Sequence, residues 1–237
     1  MSRLVNKEVV CPECNHPNKS RLWTSMNVTI DSDLREQVLS ESLFDWRCQA
    51  CGFAVHLVYP CLYHDMDRKF MIYLLPDVND SRLEDKAVGD QFPELSGLRR
   101  RVVSSLSELK EKVLIFEARL NDMATEFTKT AMTNVVERKF GKPVVSGYFC
   151  ALDKAAGTIG YSFLLEGTPK PVYYETRIQV YEKSREVIRT YLSHFPPEGG
   201  FVRIDAHWAG EVMDKLQQAE QAGTAPAPIS RGDRKNS

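Results

Sequence analysis

Short hydrophobic stretches bounded by polar and turn residues characterise the chain up to about Pro93, and they predict β-strands. Asp31 can cap a short helix that ends at Leu39, because its carboxylate accepts orphan N–H groups. A polar stretch from Asp77 to Gln91 predicts a loop after the last of these strands. The predicted strands are Lys7–Val10, Leu22–Ile30, Leu43–Arg47, Phe53–Tyr59, Cys61–Asp65 and Lys69–Leu75.

A different pattern follows, in which hydrophobic residues recur at spacings of three and four from Leu95 to Phe127. This spacing predicts an apolar stripe along a helix. No Gly or Pro interrupts the chain between Leu98 and Phe140, and Gly141 then provides a stop signal.

The number of helices in this segment stays open. A single helix would exceed about 40 residues and would need a partner helix, such as a second copy of the chain packed through residues 94–140. In the alternative, a helical hairpin, Asn121 or Asp122 caps a second helix.

The last third of the chain mixes strand and helix patterns. Predicted elements are strands at Val144–Leu152, Gly157–Leu165, Val172–Glu175 and Phe201–Ile204, a helix at Ile178–Leu192, and a final helix capped by Asp205. From Gly223 onward few apolar residues remain, which predicts a disordered tail. The predicted domains are a β module at 1–93, a helical segment at 94–141, an α/β lobe at 142–222 and a tail at 223–237.

Composition and charge exclude several classes of protein. Hydrophobic residues make up 43% of the 237 residues, enough for a core, and the net charge of −1 predicts neither broad nucleic-acid affinity nor membrane attraction. No stretch has the roughly 20 apolar residues of a membrane span, and the N-terminus lacks the pattern of a secretory signal. Six cysteines in such a chain favour metal binding in the cytoplasm over disulfides.

Two short cysteine pairs carry the strongest chemical signal. Cys11 and Cys14 form the first pair, Cys48 and Cys51 the second, and each pair has the spacing of a zinc knuckle. Four thiolates complete the tetrahedral shell of one Zn²⁺, with iron as the minor alternative. Because such a closed site has no open position for water or substrate, its predicted role is structural. Redox-active pairs and unrelated buried thiols are the competing hypotheses.

Several residues near the pairs could assist the metal or form separate sites. His16, His56 or His64 could assist the metal, as a ligand or through a hydrogen bond. The segment Tyr59–Asp67 holds a histidine beside carboxylates, but neighbouring residues of a strand point to opposite faces, which disfavours catalysis. Arg99–Arg101 is the densest basic run, and on a helix its side chains would not form one patch.

These motifs together resemble the CpXC domain family, over roughly residues 7–125. The matching segments are Cys11-Pro12-Glu13-Cys14, Cys48–Gly52, Tyr59–Asp65, Phe70–Pro76 and Leu106–Lys112. The resemblance implies a zinc-ribbon-like site with Cys11, Cys14, Cys48 and Cys51 as ligands. One departure is Gln49, which stands where the first pair has Pro and does not affect coordination. The family brings no established activity.

The sequence therefore predicts an α+β protein with an N-terminal zinc-ribbon-like β module, a long helix or helical hairpin, and a C-terminal α/β lobe. The leading hypothesis is a non-catalytic zinc protein whose module mediates contact with an unknown protein partner. A nucleic-acid-binding zinc ribbon is the second hypothesis. The third is an enzyme whose site lies between the β module and the lobe.

Overall fold

Twelve strands and five helices make up the part of the chain that the computed structural model describes, residues 1–76, 82–83, 97–195 and 200–221. The protein is thus of mixed α+β class, as predicted. Most of the predicted loop at Asp77–Gln91 and the predicted tail at 223–237 lie outside the described residues. The chain divides into two compact units, called here the N-terminal unit (Met1–Glu117 with Gly199–Arg203) and the C-terminal unit (Ala118–Glu198 with Ile204–Ser237).

The N-terminal unit contains nine strands and two helices among its described residues. They are β1 (Arg3–Val10), β2 (Pro17–Asn27), α1 (Asp33–Leu39), β3 (Asp45–Arg47), β4 (Ala54–His56), β5 (Cys61–Asp65), β6 (Phe70–Leu74), β7 (Arg82–Leu83), β8 (Arg99–Val103), α2 (Leu106–Glu117) and β12 (Phe201–Val202). A short 3₁₀ turn at Ser42–Phe44 precedes β3. The strands predicted before Pro76 are all present; Cys61–Asp65 has the predicted bounds, and the ends of the others are shifted.

Seven of these strands form one sheet in the order β1-β2-β5-β6-β8-β12-β7. β1–β2, β5–β6 and β12–β7 pair antiparallel, whereas β2–β5, β6–β8 and β8–β12 pair parallel. β3 and β4 form a separate antiparallel hairpin. The sheet thus includes residues near position 200, because β12 returns from the far end of the chain.

Helix α2 packs against β6 and covers part of the sheet. Phe116 lies 4.9 Å from Phe70 between ring centroids, and the Arg99 guanidinium lies 4.2 Å from the centre of the Phe116 ring. At the end of α2, the Glu117 carboxylate accepts hydrogen bonds from Nε and Nη2 of Arg35 in α1, at 2.5 and 2.6 Å. Ring contacts and this ion pair therefore fix both helices onto the N-terminal unit.

The predicted helix start at residues 95–105 is wrong where the structure describes it, because Arg99–Val103 forms β8. A spacing of four between Val102 and Leu106 fits a helix, but pairing with β6 buries Val102 and Val103 in the sheet. Helix α2 begins only after Ser105, whose Oγ accepts the N–H of Glu108 at 3.2 Å. The tertiary pairing outweighs the local pattern.

The unbroken-helix alternative is also wrong, since two helices occupy this segment. α2 ends at Glu117 and the next helix, α3 (Asp122–Phe140), begins three residues beyond a backbone reversal at Arg119, where φ is 59°. Asn121 caps α3, with Oδ1 accepting the N–H of Ala124 at 3.0 Å. The prediction of self-association through residues 94–140 depended on one continuous apolar helix face, and two separate helices do not provide it.

The C-terminal unit combines α3 with a three-stranded antiparallel sheet and two further helices. They are β9 (Val144–Asp153), β10 (Thr158–Leu165), β11 (Val172–Arg177), α4 (Ile178–His194) and α5 (Ala206–Gln221), with strand order β11-β10-β9. α3 packs against α4, α5 and β9. As predicted, Asp205 caps the last helix by accepting the N–H of Trp208 at 3.0 Å.

In the C-terminal unit, alternate side chains of β10 point into the core. Ile159, Tyr161, Phe163 and Leu165 are at most 2% exposed, whereas the residues between them point to the other face. Gly147 on β9 gives Phe163 its space, because a Cβ there would lie 2.6 Å from the Phe163 ring. Apolar packing therefore accounts for this sheet.

Candidate metal centre

Both cysteine pairs lie in turns that join two antiparallel strands. Cys11 and Cys14 lie between β1 and β2, and Cys48 and Cys51 lie between β3 and β4. The pairing of the flanking strands is therefore what holds each pair in place.

The first turn is closed by two backbone hydrogen bonds. Cys11 donates its N–H to the carbonyl of His16 at 3.0 Å, and Asn15 donates its N–H to the carbonyl of Cys11 at 2.9 Å. Asn15 has a positive φ of 57°, a conformation that Asn tolerates better than most residues. The chain thus reverses directly after Cys14.

The second turn repeats this geometry position by position. Cys48 donates its N–H to the carbonyl of Phe53 at 2.8 Å, and Gly52 donates its N–H to the carbonyl of Cys48 at 3.0 Å. Gly52 has a φ of 78° and is the counterpart of Asn15. No motif in the sequence marks Asn15, although Asn is, after Gly, among the residues that most often adopt this conformation.

The four sulfur atoms converge. Sγ of Cys11 lies 3.7 Å from Sγ of Cys51, and Sγ of Cys14 lies 3.7 Å from Sγ of Cys48. All four Sγ atoms lie within 4.8 Å of one another. A tetrahedral zinc site with Zn–S bonds of about 2.3 Å has S···S edges of about 3.8 Å. The cluster therefore fits one metal ion, and its separations are far too long for a disulfide.

Little apolar surface surrounds the cluster. Cys11 and Cys48 are buried, whereas Cys14 and Cys51 are exposed. The buried residues of this small core are Cys11, Trp46 and Cys48, with Val9, Phe53 and Leu57 packed partly buried against them. The Trp46 ring donates Nε1–H to Oγ of Ser20 in β2 at 2.8 Å, which ties the two hairpins together.

Asn18, which sequence reasoning missed, joins the two turns at the cluster. It is 3% exposed and donates Nδ2–H to the carbonyl of His16 at 2.8 Å and to Sγ of Cys48 at 3.5 Å. Its Oδ1 accepts the N–H of Gln49 at 2.9 Å. Asn18 thus orients one thiol and holds both turns. In the sequence, only its position soon after the first cysteine pair could have indicated this role.

The thiols differ in acidity because their neighbours differ. The backbone N–H of Cys51 lowers the pKa of Cys48 to about 6, against the effect of desolvation, and Asn18 contributes in the same direction. For Cys14, the backbone N–H of His16 lowers the pKa, but desolvation and the three neighbouring thiols together raise it to about 12. Since thiolates are the metal ligands, filling the site would release protons.

The histidines considered as helpers lie elsewhere. Among the described residues, the group suited to a metal ion contains the four cysteines and none of His16, His56 or His64. The His56 ring contacts the carboxylates of Glu41 and Asp45, at 3.1 and 2.8 Å. His16 takes part at the cluster through its backbone: its carbonyl accepts hydrogen bonds from Cys11 and Asn18, and its N–H lowers the pKa of Cys14.

The segment considered for acid–base chemistry is arranged for structure. Nε2 of His64 lies 3.4 Å from Oγ of Ser25, and the Asp65 carboxylate accepts a hydrogen bond from Arg68 at 2.6 Å. Burial lowers the pKa of His64 below its ordinary value of 6.5. His64 and Asp65 thus have separate partners and do not form a dyad.

Two hairpin turns that bring four cysteine thiols together define a protein with a four-cysteine centre compatible with a zinc site. The family model described as CpXC protein matches residues 9–129, just over half of the chain, which includes both turns. The chain belongs to the CpXC family. Comparisons with curated proteins and with solved structures gave no match. Within the described residues, no helix combines the length and the apolar character needed to cross a bilayer.

Proposed function

We propose that Cys11, Cys14, Cys48 and Cys51 hold one structural Zn²⁺ in a zinc-ribbon-like module, and that this module binds a partner protein without catalysing a reaction. The observation that carries the proposal is the convergence of four Sγ atoms within 4.8 Å from two turns of equivalent geometry. Two matched turns that present two thiols each are the arrangement of a zinc ribbon.

Zinc is the metal that the donor set favours. Four thiolates in a tetrahedral arrangement suit Zn²⁺ and, less often, iron, whereas oxygen-preferring ions need carboxylates or carbonyls. The Cys11–Cys51 and Cys14–Cys48 separations of 3.7 Å agree with the edge expected for Zn–S bonds.

A structural role follows from the closed ligand set. When four protein ligands fill a tetrahedral shell, no position is left for a water molecule or a substrate. The ion would instead supplement a small hydrophobic core, whose buried members among the described residues are Cys11, Trp46 and Cys48. Metal-binding free energy would then supply folding free energy.

Protein binding is favoured over nucleic-acid binding because two aromatic rings near the centre, those of Phe44 and Trp46, are used for packing. Phe44 and Trp46 are 1% and 8% exposed, and the Trp46 ring is hydrogen-bonded to Ser20. Single-stranded nucleic acids bind to exposed rings on which bases stack. Neither ring offers a free face of this kind.

Metal analysis of the full chain, purified under reducing conditions, tests the proposal. We expect one zinc per chain by plasma mass spectrometry, and loss of zinc in Cys11→Ser and Cys48→Ser. Cys150→Ser is the matched control, because it removes an exposed thiol from the C-terminal unit and leaves the four ligands intact. A wild-type chain that stays metal-free after zinc is supplied, or one that forms disulfides within the pairs instead, would overturn the proposal.

A further inference from the structure

A cleft of about 180 Å³ lies beside the metal centre in the N-terminal unit. Its walls are two runs of consecutive residues, 18–22 in β2 and 43–47 leading into and through β3, and Tyr59 lies among the other lining residues. Because successive side chains of a strand point to opposite faces, a wall made of consecutive residues is formed by strand backbone. The cleft is therefore bordered by strand edges.

The β2 wall presents unpaired backbone groups. Within the described residues, β5 pairs with β2 only at Ser25–Asn27, and no other strand pairs with the earlier part of β2 on that side. Trp23 donates its N–H to the Tyr59 hydroxyl, away from β1, at 3.2 Å. Since backbone groups alternate in direction along an antiparallel strand, the N–H and C=O of Lys19 and Arg21 point to the same side.

The β3 wall is its counterpart. Leu57 donates its N–H to the carbonyl of Phe44, and Cys48 donates its N–H to Phe53, so these positions face β4. The alternation then directs the N–H and C=O of Asp45 and Arg47 away from β4. Within the described residues, the N–H of Asp45 donates to the carbonyl of Ser42 in the preceding 3₁₀ turn, whereas no backbone hydrogen bond outside the β3–β4 pairing engages the N–H and C=O of Arg47.

Basic side chains dominate this cleft. Lys19, Arg21 and Arg47 are all exposed, and none of them forms a side-chain hydrogen bond or an ion pair within the described part of the chain. Asp45 is the single acidic residue of the lining, and its carboxylate already contacts His56 at 2.8 Å. The cleft thus combines open strand edges with three basic side chains that form no ion pair within the described residues.

We infer that this cleft binds an extended acidic peptide segment of a partner protein, which adds as a β-strand along the edge of β2 or β3. Strand addition uses the open backbone groups for affinity and the flanking side chains for selectivity. Carboxylates of the peptide would meet Lys19, Arg21 and Arg47, which steers the encounter and disfavours basic peptides. This inference rests on the proposed function and names its class of partner.

The metal centre explains why the walls keep their separation. β2 begins three residues after Cys14, and β3 ends at the residue before Cys48, so each wall is anchored in one of the two turns. An ion shared by both turns would fix the distance between the two strand edges. Peptide binding should therefore depend on zinc loading.

The test uses the full-length, zinc-loaded chain, labelled with ¹⁵N, and a capped hexapeptide that alternates Glu with Val or Tyr. We expect this peptide to shift the amide resonances of Lys19, Arg21, Asp45 and Arg47, with a Kd below about 1 mM. The same peptide with Lys in place of Glu should bind at least about tenfold more weakly, since like charges then face each other. Methylating alternate peptide nitrogens should abolish binding by removing strand hydrogen bonds.

Charge reversal separates this site from the rest of the surface. The double variant Arg21→Glu/Arg47→Glu should prefer the Lys peptide, whereas Lys154→Glu/Lys170→Glu, exposed positions in the C-terminal unit, should behave as wild type. Absence of shifts at these four amides with the Glu peptide would overturn the inference, as would selective binding of decathymidylate there. If zinc is present at one per chain in that same sample, the proposed structural site survives this failure.

Discussion

The two small antiparallel sheets of this protein, one in each unit, differ in how many large side chains they bury. In the C-terminal unit, β10 alone buries four large side chains at 2% exposure or less. Around the cysteine cluster, the β3–β4 hairpin buries Trp46 at 8% exposure, while all three residues of β4 are exposed. An isolated hairpin of this kind is marginally stable in water at best.

The contrast shows where a bound metal would contribute most to stability. Apolar burial contributes about 25 cal/mol per Å², so a sheet with a row of buried aromatic and aliphatic residues needs no further support. A hairpin with one buried ring needs another source of free energy, and structural zinc supplies about 10–16 kcal/mol in small zinc domains. Four variants test this contrast, beginning with the one of largest effect.

Cys48→Ser should have the largest effect and should act on one region only. Because a ligand is lost, we expect the free energy of metal binding, about 10–16 kcal/mol in small zinc domains, to disappear from the hairpins. Hydrogen exchange followed by mass spectrometry should show loss of protection in β1–β4 and retained protection in β9–β11. Equal loss in both regions would contradict the contrast, and Cys150→Ser again serves as the control.

Phe163→Ala tests the other side of the comparison. Phe163 is 0% exposed at the centre of the C-terminal sheet, so its truncation should lower the free energy of unfolding by about 3–5 kcal/mol. Guanidinium denaturation should give the same difference with saturating zinc and with a chelator, since no ligand is involved. A difference that shrinks when zinc is removed would show that the two regions unfold as one.

Asn18→Ala should weaken the metal centre without destroying it. Loss of the amide removes the hydrogen bond to the Cys48 sulfur and the link between the two turns. Mutation of a residue that orients a metal ligand in this way lowers metal affinity about 10–100-fold. Competition with a chromogenic zinc chelator measures the change. Asn6→Ala, an exposed position on β1, is the matched control and should keep wild-type affinity.

His64→Gln should have the smallest effect, seen only as a change in pH dependence. Burial lowers the pKa of His64 in the folded protein below 6.5, its ordinary value. The folded state therefore favours the neutral ring, and its contribution to stability is present above pH 6.5 and is lost as the pH falls. Denaturation of both proteins between about pH 7.5 and 5.5 should show a shallower decline for the variant, while metal loss affects both alike.

The cysteine cluster was predictable, and the physical reason is local. Spacing within each pair and the strands around it specify two turns, so Cys11, Cys14, Cys48 and Cys51 could be grouped from sequence. Asn18 could not, because its role depends on how β2 packs beside the second turn, which no pattern within β2 reveals.

The larger errors arose where distant strands decide the structure. Arg99–Val103 fits a helical spacing, but its partners are β6 and β12, which lie far away along the chain. Phe201–Val202 was predicted as a strand and found as one, yet its position beside β8 is specified by no local signal. Hydrophobic periodicity does not specify which distant segments of the chain pair with each other.

The return of β12 has a consequence for the way this protein is made. Synthesis proceeds from the N-terminus, and Phe201 leaves the ribosome after nearly all of the C-terminal unit has been translated. Until then β8 lacks the neighbour that pairs with it at Val202 and Arg101, so within the described residues that side of β8 is a strand edge on which other nascent chains could pair. A fragment that ends at the last residue of the CpXC match would keep that edge permanently, so the family segment expressed alone should be prone to aggregate.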